Sequence, residues 1–192
     1  LMQRCCEETK GTMAVLLGGE VHAIESWVRN APFPKELWVA NYNAPAQTVL
    51  AGSGRAIAWV QQTAIEGAGV KKVVALEVAG AFHSGFMAQA REGLAPYLQV
   101  APIGKGKSRL AMNVTGGFVD DPQEVRKNLV AQVTEPVRWS AILSEMEKEG
   151  VDVYVTFGPG KSLAGINRQN GLRGSSFVVE RIADVELLQK GV

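Results

Sequence analysis

Short apolar runs alternate along this chain with stretches of helical periodicity. Gly11-Thr12-Met13-Ala14-Val15-Leu16-Leu17-Gly18 is apolar and bounded by glycines, which by its length predicts a buried strand. From Glu20 to Asn30 the apolar residues recur at Val21, Ile24 and Val28, a helical spacing with Asn30 near its stop. Leu37 to Tyr42 and Thr48 to Ala51 read as two more strands, separated by the turn formers of Asn43-Ala44-Pro45-Ala46-Gln47. Gly52-Ser53-Gly54 opens a helix through Ile57, Val60 and Ala64 that closes near Gly67-Ala68-Gly69, and Val70 to Val78 is a fourth strand. Strand, helix, strand, strand, helix, strand is the order of a ferredoxin-like unit, expected over residues 11–78.

The remainder alternates differently. A helix is expected from about Ser84 to Leu98, then a basic Gly/Lys loop and a strand from Arg109 to Val114. Asp120-Asp121-Pro122 supplies a cap and an early proline for a helix through Val125, Leu129 and Val133, and Pro136 stops it. Further elements are a helix from Trp139 to Glu149, a strand at Val151–Val155, a helix from Lys161 to Gln169, a strand at Ser176–Glu180 and a terminal helical turn at Val185–Leu188. Strands alternating with helices predict part of a parallel sheet covered on both faces, so residues 1–10 and 79–192 are expected to form an α/β core. The opening Leu1-Met2-Gln3-Arg4 has helical character without an N-cap or an initiator methionine, and the chain is expected to be a fragment.

Composition narrows the function. At 46% hydrophobic, 20% charged and net charge +1 over 192 residues, the chain is ordinary for a globular domain. The scattered charges give no footprint for nucleic acid, and no apolar run has the length of a membrane span. Cys5 and Cys6 are adjacent and are the only cysteines, which leaves no disulfide framework or zinc set and fits a reducing cytoplasm. No metal or cofactor is expected.

The candidate chemistry sits at Leu76-Glu77-Val78-Ala79-Gly80-Ala81-Phe82-His83-Ser84. Small residues allow a tight break after a strand, and His83 follows immediately, with Ser84 placed to cap the next helix. An imidazole at a strand-to-helix turn occupies the position where open α/β sheets carry their chemistry, and equally one where a histidine merely packs. Ser84 is not its nucleophile, since consecutive residues at a helix start diverge, and the elbow G-x-S-x-G is absent from the chain. Gly160-Lys161-Ser162 is not a P-loop, because Val155 stands where that motif needs glycine. The Lys105–Arg109 loop is read as a solvated one.

Taken in order, several segments resemble the malonyl-CoA:acyl carrier protein transacylases and the related acyltransferase domains of polyketide synthases. Asn41-Tyr42-Asn43-Ala44-Pro45-Ala46-Gln47-Thr48-Val49-Leu50-Ala51-Gly52 is similar to that family's N-x-N-S-P-x-Q-x-V-I-A-G. Gly80-Ala81-Phe82-His83-Ser84 resembles the turn bearing its histidine. Leu129 to Gln132 with Pro136-Val137-Arg138-Trp139 resembles L-x-x-Q-x-x-x-P-V-x-W, and Gly158-Pro159-Gly160-Lys161-Ser162-Leu163-Ala164-Gly165 resembles G-P-G-x-x-L-x-G.

The resemblance implies an α/β-hydrolase-like core with a ferredoxin-like subdomain. It also implies ping-pong transfer of malonyl from malonyl-CoA to acyl carrier protein through a serine ester. By position, His83 is the base and the backbone carbonyl of Gln132 orients its other ring nitrogen, while Phe82 and Asn43 fall at the substrate. A Phe before the histidine goes with malonyl in the polyketide enzymes, a steric preference on the order of 1–3 kcal/mol per methylene. The serine and the malonate-binding arginine of the family have no counterpart here, Thr156 replaces a usual Glu, and Ala44 replaces a usual Ser. A polyketide acyltransferase domain and a non-catalytic ferredoxin-like binding module are the rival readings. The second lacks an aromatic, basic sheet face for RNA.

Overall fold

The computed structural model describes residues 1–191. It divides into two compact units, Leu1–Ile142 and Leu143–Val192.

The first unit is built on a four-stranded antiparallel sheet of β1 (Gly11–Gly18), β2 (Leu37–Ala44), β3 (Gln47–Ser53) and β4 (Val70–Ala75), in the order β2-β3-β1-β4. Strand β1 is central, which explains its unbroken apolar run: both of its faces are covered. Ala14 and Leu16 point to one face, where Ile24 of α2 (Val21–Arg29) and Ile57, Val60 and Ala64 of α3 (Gly54–Gly67) complete a core with Leu50. Met13 points to the other, with Ala40, Val49 and Ala51, and there the packing partners are Ala81, Phe82 and Phe86. The alternation of a strand's side chains thus brings the histidine-bearing turn beneath the sheet. Pro45 and Ala46 form the two-residue link of the β2–β3 hairpin, as the turn residues predict.

Strand β4 is shorter than its apolar run. It ends at Ala75 rather than Val78, and only the Leu76 N–H continues the ladder, donating to Met13 O at 2.9 Å. From there the chain leaves the sheet edge and passes under β1. Gly11 permits this, because a Cβ built on it lies 2.6 Å from Ala81 Cβ.

Helix α1 (Met2–Thr9) buries Cys5 and Cys6 against Met87 and Ala90. A 3-10 turn at Gly85–Met87 precedes α4 (Ala88–Val100), so the helix expected from Ser84 starts with a tighter turn. The strand expected at Arg109–Val114 is instead a short hairpin arm. β5 (Leu110–Met112) pairs antiparallel with β6 (Gly117–Val119), a strand the apolar pattern does not mark because it has only three residues. The reversal uses Gly116 at φ 69°. Asp121 caps α5 (Pro122–Ala131), its carboxylate accepting from Glu124 N at 3.1 Å. α6 (Trp139–Lys148) follows.

In the second unit, β7 (Val153–Phe157) and β8 (Ser175–Val179) form a parallel pair, with α7 (Ser162–Gln169) as their crossover and α8 (Ile182–Gly191) after them. These are the described strands that pair in parallel as a ladder; the expected parallel character is confined to them. Among the described residues, no helix is long and apolar enough to cross a membrane.

Candidate active site

His83 follows the small-residue turn Ala79-Gly80-Ala81 and adopts φ 55°, a left-handed conformation uncommon for residues other than glycine. Ser84 fixes the turn from the next position. It is fully buried, its hydroxyl donates to Ala81 O at 2.5 Å and accepts from Phe86 N at 3.2 Å. That hydroxyl is committed to the backbone, which removes Ser84 as a nucleophile.

The ring of His83 is held through Nδ1. Gln132 O lies 2.8 Å from it and Glu135 O 3.1 Å. Carbonyl oxygens only accept, so Nδ1 carries the hydrogen and the neutral ring keeps its lone pair on Nε2. Gln132 is the C-cap of α5, where the last turn of a helix leaves its oxygens without partners in the helix, and Glu135 lies in the turn that follows. Gln132 N donates to Asn128 O at 2.9 Å, and Thr134 N and Glu135 N both donate to Ala131 O at 3.0 Å, so the chain tightens just as it passes the histidine.

The segment after Glu135 is tied to the sheet. Val137 N donates to Ala40 O and Tyr42 N to Val137 O, both at 2.8 Å, a parallel bridge onto β2. Beside it, Tyr42 Oη donates to Glu25 Oε1 at 2.6 Å, and the Arg138 guanidinium lies 5.5 Å from the Tyr42 ring centroid. Burial, then the Glu25 hydrogen bond, pushes the Tyr42 phenol up to about 12, and that same bond holds the Glu25 carboxyl below its ordinary value.

Of the residues singled out in the sequence, His83 and Gln132 are therefore brought together across 49 positions. Phe82 is partly buried and packs against both the sheet cluster of Met13 and Ala51 and the cluster of Cys5, Cys6 and Met87. Asn43 stands at the hairpin end of β2, one residue beyond Tyr42. Sequence reasoning missed Glu135, whose carbonyl shares Nδ1. It also missed Asn113, whose Nδ2 donates to Gln132 Oε1 at 3.3 Å.

The mixed helix-and-sheet architecture of this chain is shared with solved transacylases. The crystal structure of MCAT (malonyl-CoA:acyl carrier protein transacylase) from Streptococcus pneumoniae superposes with a TM-score of 0.91 at 27% identity, covering 100% of this chain and 62% of that one. Among curated proteins, the malonyl CoA-acyl carrier protein transacylase of Bacillus subtilis is 28% identical over 93% of this chain and 56% of its own length. That of Mycobacterium bovis is 32% identical over 98% and 60%. No protein-family model matches the chain. This chain is related, over nearly its whole length, to the malonyl CoA-acyl carrier protein transacylases, as its motifs anticipate, and it spans a little over half the length of those relatives.

Proposed function

We propose that this chain is the histidine-bearing part of a malonyl-CoA:acyl carrier protein transacylase. The enzyme moves malonyl from coenzyme A to a serine and then to the phosphopantetheine thiol of acyl carrier protein. The observation that carries the reading is the Nδ1 contact of His83 with Gln132 O at 2.8 Å. It leaves Nε2 as the base that takes the serine proton during attack on the thioester, and returns it to the leaving thiolate. A carbonyl here does the orienting that a carboxylate does in an Asp-containing triad. We read the sheet order β2-β3-β1-β4 as a ferredoxin-like subdomain over residues 11–78, set into an α/β-hydrolase-like core to which residues 1–10 and 79–192 contribute. We place Phe82 and Asn43 at the substrate and the enzyme in the cytoplasm. The relatives' names, which specify malonyl-CoA and acyl carrier protein, support the substrates.

The test is a chimera in which the segment of the Bacillus subtilis relative that this chain does not match is joined to it. The chimera is expected to transfer malonyl from CoA to acyl carrier protein. His83→Ala should lower turnover about 10²–10⁴-fold with the fold intact. Near-normal turnover in that variant would make His83 structural. The chain by itself, lacking a G-x-S-x-G serine, should show no malonyl adduct by intact mass. A stable adduct would place the nucleophile within it.

A further inference from the structure

The carbonyls that hold His83 belong to a short stretch, residues 132–138, which has no regular structure of its own until α6 begins. An imidazole held by such a stretch is only as well oriented as the stretch itself. Asn113, in the β5–β6 turn, reaches both of its ends. The side-chain Nδ2 donates to Gln132 Oε1 at 3.3 Å, and the backbone carbonyl accepts from Arg138 N at 3.1 Å. The hairpin that carries Asn113 is itself fixed. Gly116 N donates to Met112 O at 3.0 Å, and Arg138 Nε returns to Val114 O at 3.1 Å. Gly116 also packs against Arg138 and Ala141, for a Cβ on it would lie 3.1 Å and 2.8 Å from theirs.

We propose that Asn113 is a positioning residue for His83, acting through the side chain of Gln132 to keep the Gln132 and Glu135 carbonyls aimed at Nδ1. The proposal rests on the reading of His83 as a general base and adds a residue to it. Gln132 then has two separable functions: its carbonyl holds the histidine, and its amide holds the carbonyl. The short β5–β6 hairpin acquires a purpose beyond connecting α4 to α5.

The experiment uses the 192-residue chain labelled with [15N]histidine. Ring 15N shifts in long-range proton–nitrogen spectra report which nitrogen of each neutral imidazole carries the hydrogen. The other histidine, His22, is exposed and serves as the internal reference. In the unmodified chain His83 is expected as the Nδ1–H tautomer, whereas a free neutral imidazole favours Nε2–H. Asn113→Ala should move the tautomer ratio towards Nε2–H by about fivefold, the equivalent of one ordinary hydrogen bond. Gln132→Met, which removes the same bond from its other partner and keeps the backbone carbonyl, should do the same. The double variant should go no further than either single one.

If Asn113→Ala fails to fold by circular dichroism, Gln132→Met decides alone. An unchanged Nδ1–H tautomer in the folded variants overturns the assignment of Asn113 while leaving His83 as the base. An Nε2–H tautomer in the unmodified chain overturns the reading of His83 itself, and the two failures are thereby told apart.

Discussion

Gly80→Ala isolates the packing that seats the histidine turn. Gly80 does not have a left-handed φ, so alanine is allowed by the backbone. At an unobstructed site the change would stabilise by about 0.4–1 kcal/mol through the unfolded chain. Here the new methyl would run into Cys6 Sγ, a buried sulfur on α1. Overpacking of this kind costs about 1–3 kcal/mol, so the net loss should be about 1–2 kcal/mol. Cys6→Ala removes the sulfur. The nearest atoms are then Cys6 Cβ and Cα at 3.1 and 3.4 Å, tight but tolerable, and the added methyl partly fills the vacated space. In that background Gly80→Ala should be close to neutral, giving a coupling of about 1–2 kcal/mol between the two sites. Urea unfolding of the four proteins measures it. With a slope of about 2 kcal/mol per molar, the single Gly80→Ala variant should unfold at a midpoint lower by roughly 0.5–1 M. Additivity within about 0.5 kcal/mol would refute the steric account and place the cost in the backbone of the turn instead.

Tyr42→Phe tests the half-buried phenol at high pH. Its value of about 12 in the fold, against about 10 unfolded, means the native state holds more protons between those limits. That contribution is intact below pH 10 and is lost as pH rises from 10 through 12, a slope shared with Tyr154, which desolvation and Glu147 also push to about 12. Urea midpoints from pH 9.5 to 11.5 should show a shallower decline in Tyr42→Phe, and identical declines would refute the shift. Phe82→Ser should lower stability by a few kcal/mol, below the ~3–5 kcal/mol typical of truncating a fully buried Phe. In the active chimera it should raise the methylmalonyl-to-malonyl ratio of kcat/KM by roughly 10–200-fold, and an unchanged ratio would put Phe82 outside the acyl pocket.

Local patterns made much of this fold legible. Strand β1 and helices α2 and α3 were marked by apolar spacing, and Asp121 by its capping chemistry, because each of those signals acts within a few residues. The errors lie where tertiary demand overrides local preference. Leu76 to Val78 are strand-like in composition, yet the chain must leave the edge there to carry Ala81 under β1. The stretch from Arg109 to Val114 is apolar enough for a sheet strand, but Gly116 folds it back into a hairpin. His83 and Gln132 were paired in advance only through the family resemblance. Nothing in local composition links positions 49 apart, and a backbone carbonyl leaves no mark on the side-chain pattern. Asn113 was invisible for the same reason.

The left-handed backbone of His83 shows why such distant anchors are needed. Holding a non-glycine residue there costs on the order of 1–3 kcal/mol, and an ordinary hydrogen bond returns about 1 kcal/mol. The bonds to Gln132 O and Glu135 O alone therefore do little more than break even against the strained turn. What tips the balance is packing and capping around it: Ser84 bonded to Ala81 O, Ala81 buried under β1, and Met87 buried against Cys5 and Cys6. The carbonyl side is supported independently, by the Val137 bridge to β2 and by Asn113. Two separately stabilised pieces, one presenting the ring and one presenting its acceptors, meet with little strain left to relieve by rearrangement. On the proposed reading of His83 as the base, a fixed Nε2 direction limits the orientation entropy lost when the ring takes a proton.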